Sequence, residues 1–87
     1  MSVVARFRPD YAYSMKNVDA VYAELGKRIV MARKAQGMSQ EQLSAASEID
    51  RSHMGFIEQG RRRPTLATLF KICASLGMSL EKLFKGL

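Results

Sequence analysis

The chain has 87 residues, enough for one domain with a modest hydrophobic core. Its 47% hydrophobic content is that of a globular protein and excludes wholesale disorder, while a net charge of +6 favours a polyanionic partner. A single cysteine, Cys73, excludes an intrachain disulfide and a cysteine-based metal cluster, and reads as a small core residue. With no signal-peptide core and no apolar run of about 18 residues, the chain is expected to be soluble and cytoplasmic, without a membrane partner.

Residues 1–16 differ from the rest. Arg8-Pro9-Asp10 is a breaker cluster, and Phe7, Tyr11 and Tyr13 have no helical spacing. This stretch is expected either to be a poorly ordered terminus or to act as an arm. As an arm, Arg6 and Arg8 would touch phosphates, or the aromatics a partner subunit. Met15 is an alternative natural start. Residues 17–87 are expected to form the domain.

From Asn17 to Gln36, Val18, Val21 or Tyr22, Leu25, Ile29 and Ala32 recur at spacings of three and four, the period of a helix. Gly26 within it costs up to ~1 kcal/mol against alanine, so close packing is expected there. Gly37 ends this helix. Two short helices follow back to back, over 39–46 and 50–59. Ser39 caps the first and forms a capping box with Gln42; Asp50 caps the second. Met38 with Leu43, and Ile49 with Met54, are hydrophobic staples that fix how the chain enters each helix. Gly60 stops the second of the pair.

Pro64-Thr65 opens a fourth helix, capped by Thr65, with Leu66, Leu69, Ile72, Cys73 and Leu76 as its apolar stripe and Gly77 at its end. Ser79 caps a fifth, with Met78 and Leu83 as its staple and Leu80, Leu83, Phe84 and Leu87 on one face. No strand alternation, internal repeat or low-complexity tract is visible. The fold is therefore expected to be all-α, a compact five-helix domain.

The second and third helices, joined by too few residues for a strand to intervene, make a helix-turn-helix unit. Arg61, Arg62 and Arg63 follow at once, so that residues 51–64 hold four arginines against Glu58 alone. This places basic side chains beside a helix suited to double-stranded DNA.

Three strings, LGKRIVMARKAQGMSQEQLS, DRSHMGFIEQG and PTLATLFKICASLGMSLEKLF, stand in the order and spacing of the Cro and phage-repressor (Xre-like) helix-turn-helix domains. The chain resembles that family from about Leu25 to Phe84, which implies a lambda-repressor-like fold. Within the family, IDRSHMGFIEQGRRRPTL is most similar to the controller proteins of bacterial restriction–modification systems. Two positions depart from the family pattern. Ser44 stands where a small alanine is usual and must satisfy its hydroxyl. Glu48 stands where a turn glycine is usual, and would bear a penalty of about 1 kcal/mol if the turn keeps φ > 0.

The third helix is expected in the major groove, its N-terminal side chains at base edges. The resemblance implies base contacts at its first, second and sixth positions: Arg51, Ser52 and Phe56. The fork of Arg51 suits the O6 and N7 acceptors of guanine; Ser52 can bond a base or a phosphate; Phe56 would pack on a thymine methyl. His53, in the same first turn, would meet a base or a phosphate. Gln40 matches a family position that bonds the DNA backbone, and Arg61, Arg62 and Arg63 are further phosphate candidates. Met54 and Ile57 are expected to point into the core. The resemblance also implies an ion pair between Arg33 and Glu58 that pins the reading helix. Leu80 and Leu83 match inward-packing family positions. Phe84 and Leu87 then remain as apolar surface and are expected to pair across a two-fold axis in a homodimer.

One histidine, one thiol and no glycine-rich phosphate loop leave no catalytic set, cofactor site, metal cluster or evident small-molecule site. The expected function is a dimeric, sequence-specific transcriptional regulator on a roughly palindromic operator, controlling a restriction–modification operon. The alternative is an antitoxin-type regulator, whose toxin-binding surface would draw on residues 1–16. A basic module on anionic membrane is the rival from another class, and the compact five-helix pattern argues against it.

Overall fold

A computed structural model describes residues 17–87 as five helices, with no strand among them. They are α1 (Val18–Ala35), α2 (Gln40–Ala46), α3 (Arg51–Glu58), α4 (Leu66–Leu76) and α5 (Leu80–Phe84). The expectations placed on residues 1–16, including the arm, the Met15 start and a toxin-binding surface, lie outside the described residues.

Four helices begin where a side chain takes up the free N–H groups of the first turn. Ser39 Oγ accepts from Gln42 N at 3.0 Å while Gln42 Oε1 accepts from Ser39 N at 2.8 Å, completing the capping box of α2. Asp50 Oδ2 accepts from the N–H groups of Ser52 and His53 at the start of α3. Thr65 Oγ1 and Ser79 Oγ play the same part for α4 and α5.

One termination motif recurs. At the end of α3, Arg61 N donates to Phe56 O and Gly60 N to Ile57 O, the paired bonds of a Schellman motif, which needs a left-handed residue at its bend. Gly60 supplies it at φ +74. The same pairs of bonds close α1 at Gly37 and α4 at Gly77, and they close α2 at Glu48. Glu48 is the one described non-glycine residue at positive φ, at 55°. The turn therefore keeps its usual shape despite the missing glycine. The hydroxyl of Ser44, the other departure, is satisfied within its own helix by donating to Gln40 O at 2.7 Å.

Leu25 and Ile29 of α1, Leu43 of α2, Met54 and Ile57 of α3, Leu69, Ile72, Cys73 and Leu76 of α4 and Leu83 of α5 make one buried cluster. Met38, Ile49 and Met78 pack against it at the helix entries, where the staples were expected. α1 lies against α3 and α5, and α2 bridges α3 and α4. With five residues, α5 is too short to be stable alone. Leu83 anchors it by burial worth about 1.5–3 kcal/mol, and Arg28 Nη1 donates to the carbonyls of Leu83 and Lys85 at its end.

Two apolar placements differ from the sequence reading. Phe84 is half buried and packs against the core rather than standing on the surface, because the Arg28 bonds draw the end of α5 onto α1. Leu66, expected in the buried stripe, is 58% exposed at the first turn of α4, and Phe70 one turn later is 57% exposed.

Candidate nucleic-acid interface

α3 is held from beneath by apolar contacts and from its C-terminal end by an ionic network. Met54 and Ile57 are buried in the core, as their spacing requires. The carboxylate of Glu58, on the last residue of α3, accepts from Arg33 Nε at 2.8 Å and Nη2 at 3.1 Å. Arg33 Nη1 also donates to Met38 O at 3.0 Å. Glu58 thus ties α3 to α1, as the resemblance implied. Gly26 lets the two helices approach: a Cβ there would lie 2.6 Å from Ile57 O and would also collide with the carbonyl of Glu58.

Gln40 joins this network. Sequence reading expects it at a phosphate; in the folded chain its Nε2 donates to Glu58 Oε1 at 3.0 Å, joining α2 to the end of α3, while the side chain still lines the surface beside Arg51 and Gly55. All three helices around the turn therefore meet at one carboxylate.

The opposite face of α3 is open. Arg51 and Ser52 are exposed and His53 half exposed in its first turn. Arg51 Nη1 lies 3.3 Å from Glu41 Oε1 on α2, both side chains standing in solvent. Such an exposed pair is worth under about 1 kcal/mol, against about 1–3 kcal/mol for an arginine fork on guanine. Glu41 can therefore orient Arg51 without withholding it from a base. Two shallow hollows flank this face. One is lined by Asp50, Ser52, His53, Phe56 and Arg62; the other by Gln40, Arg51, Gly55 and Gln59, with Ser52 and Phe56 bordering both.

The three arginines after α3 divide. Arg61 and Arg62 stand over the ring of Phe56. Arg63 turns away to α1, where Nη2 lies 2.5 Å from Asp19 Oδ1 and the guanidinium sits over Tyr22. The structure thus gathers Arg51, Ser52, His53, Phe56, Arg61 and Arg62 at one face. Gln40 borders that face while bonded to Glu58, and Arg63 stands beside it in an exposed pair with Asp19 that, like the pair of Arg51 with Glu41, is too weak to withhold it from a phosphate.

Sequence reading did not single out Glu41 or Gln59. The signal for Glu41 was its place in the first turn of α2, which the helix-turn-helix geometry brings beside the first turn of α3. Elsewhere, Cys73 is buried in α4, and burial pushes its thiol pKa up, away from the reactive thiolate. Among the described residues no group of His, Cys, Asp or Glu is placed to hold a metal ion. No described helix is long and apolar enough to cross a membrane.

Comparison with known proteins agrees with this geometry. The helix-turn-helix family model matches residues 29–83. Control protein C.MunI of a Mycoplasma species is 36% identical over 63 residues, covering 71% of this chain and 85% of that protein. The immunity repressor protein of Bacillus phage phi105 is 33% identical over 57 residues, covering 66% of this chain and 40% of the repressor. The crystal structure of the restriction-modification controller protein C.AhdI from Aeromonas hydrophila superposes with a TM-score of 0.73 at 35% identity, covering 75% of this chain and 98% of that one. The family match spans more than half of the chain and has the α2–α3 unit inside it, so the protein belongs to the helix-turn-helix, Xre-like family of DNA-binding transcriptional regulators.

Proposed function

We propose that the protein regulates transcription by binding a roughly palindromic operator as a homodimer, each subunit reading one half-site with α3. The observation that carries this reading is the open first turn of α3. Arg51, Ser52 and His53 face outward there, beside Arg61 and Arg62, while the rear of the helix is fixed through Glu58 to α1 and α2. A rigid helix with a free N-terminal face and flanking cations meets both requirements of readout: bases specify and phosphates position. Arg51 is the residue we assign to guanine, with Ser52 and His53 on neighbouring bases or phosphates. The likeness to a control protein and to a restriction-modification controller supports a regulator of that kind, acting on its own operon.

Two subunits are needed to read a two-fold site, and the large apolar side chains exposed among the described residues are Leu87, 41% exposed, Leu66 with Phe70 on α4, and Met31 on α1. The half-buried Phe84 lends only its outer edge. Selection of bound sites from a random duplex library tests the function. It is expected to yield a two-fold symmetric consensus whose half-sites lie about one DNA turn apart, roughly 34 Å. A pool with no enriched sequence would contradict it.

A further inference from the structure

Phe56 is the sixth residue of α3, where the family resemblance implies a base contact, yet its ring already has neighbours. The guanidinium carbons of Arg61 and Arg62 lie 5.2 and 5.6 Å from its centroid. Both are inside the ~6 Å at which the negative face of an aromatic ring attracts a cation.

The backbone explains why. In a Schellman ending, the second residue past the helix end folds back over the third residue before it, commonly as a contact between two apolar side chains. Here those positions are Arg61 and Phe56, joined by the bond from Arg61 N to Phe56 O at 2.9 Å. The motif therefore seats a cation on a ring. Arg61 Nη1 also reaches Gln59 Oε1 at 3.4 Å. Arg62, next in the loop, lines the same hollow as Phe56 together with Ser52 and His53 of the reading turn.

An exposed arginine on a loop has much rotamer freedom to lose when it binds. A ring that orders the side chain beforehand removes part of that loss.

We propose that Phe56 is a positioning residue that reads no base and holds Arg61 and Arg62 ready for the phosphate backbone. This rests on the DNA-binding reading above. It assigns Phe56 to affinity for any duplex, whereas a methyl contact would assign it to sequence preference.

The test is a double-mutant cycle on a short random-sequence duplex, read by fluorescence anisotropy, with circular dichroism melts of each variant to register any loss of fold. Phe56→Leu keeps an apolar side chain and removes the ring; it is expected to weaken binding by up to about five- to thirtyfold, the scale of two exposed cation–π contacts. Phe56→Tyr restores wild-type binding. In an Arg61→Ala, Arg62→Ala background, Phe56→Leu has no further effect, because the groups it positions are gone. An equal loss from Phe56→Leu with and without the arginines overturns the proposal. So does a wild type whose affinity for its selected duplex falls when thymines are replaced by uracil while Phe56→Leu is indifferent to the replacement, since that is the mark of a methyl contact. A wild type that binds no duplex removes the DNA-binding reading along with this one; a wild type that binds, with Phe56→Leu unchanged, removes this one alone.

Discussion

Arg33 and Glu58 form a two-pronged ion pair between α1 and the end of α3, with their side chains only 11% and 5% exposed. Charges this far from water are costly unless paired, and removing one partner strands the other. Glu58→Gln is therefore expected to destabilise the fold by ~3 kcal/mol or more, which in a domain of this size lowers the melting temperature by about 12 °C or more. Arg33→Met should do the same from the other side. Thermal melts of the two variants decide it, and two unchanged midpoints would mean that the pair behaves as surface charge, worth under about 1 kcal/mol.

Gly26→Ala sets two effects against each other. Helix propensity favours alanine by up to ~1 kcal/mol. The new Cβ would meet backbone oxygens of α3, one of them at 2.6 Å, and backbone cannot swing aside as a flexible side chain can. Overpacking of this kind costs about 1–3 kcal/mol or more, so the clash wins. Denaturant melts should show a net loss, and DNA affinity should fall as α3 is pushed away. A more stable variant would mean that the helices are less closely apposed.

Glu48→Gly should act in the opposite direction. Glu48 holds the left-handed bend that glycine holds at the ends of α1, α3 and α4. Relief of that conformation is worth about 1–2 kcal/mol, of which the larger unfolded-state freedom of glycine takes back about 0.4–1 kcal/mol, so a net gain of up to about 1 kcal/mol is expected. A denaturant midpoint that stays put or falls would show that Glu48 makes a compensating contact.

Much of this was legible in the sequence, for identifiable reasons. Ser39, Asp50, Thr65 and Ser79 cap their helices because capping depends on residues only two or three apart, and local rules suffice. The buried faces followed from helical periodicity. Periodicity names a face but not how much of it a neighbour covers, which is why Leu66 stands exposed; the family resemblance sets Phe84 on the surface, whereas its place on the apolar face of α5 agrees with its packing against the core. The Arg33–Glu58 pair came from family resemblance, since no local spacing joins residues on separate helices. Gln40 meeting Glu58, Glu41 meeting Arg51 and Arg63 meeting Asp19 depend on which side chains the fold brings together. Their residue types were visible and their partners were not.

Pairing of subunits can be assigned by two charge insertions. Phe70→Glu and Leu87→Glu each place a carboxylate in an exposed apolar position without touching the core. If these side chains are buried between subunits, sedimentation equilibrium should show the wild type as a dimer at tens of micromolar and at least one variant shifted to monomer. A monomeric wild type, or both variants still fully dimeric, would rule out these surfaces.

That α3 reads bases while the following loop holds phosphates is tested most directly by one salt-dependent binding series. Wild type, Arg51→Ala and Arg62→Ala are titrated on the selected duplex and on a scrambled one. Wild type should prefer the selected duplex by about a thousandfold or more. If about six phosphates are neutralised per dimer, its log–log salt slope should be about −5. Arg51→Ala should lose about 1–3 kcal/mol per half-site on the selected duplex alone. Arg62→Ala should lose affinity equally on both and flatten the slope by about two, one for each subunit. Equal wild-type affinity for the two duplexes, or the same change of specificity in both variants, would contradict it.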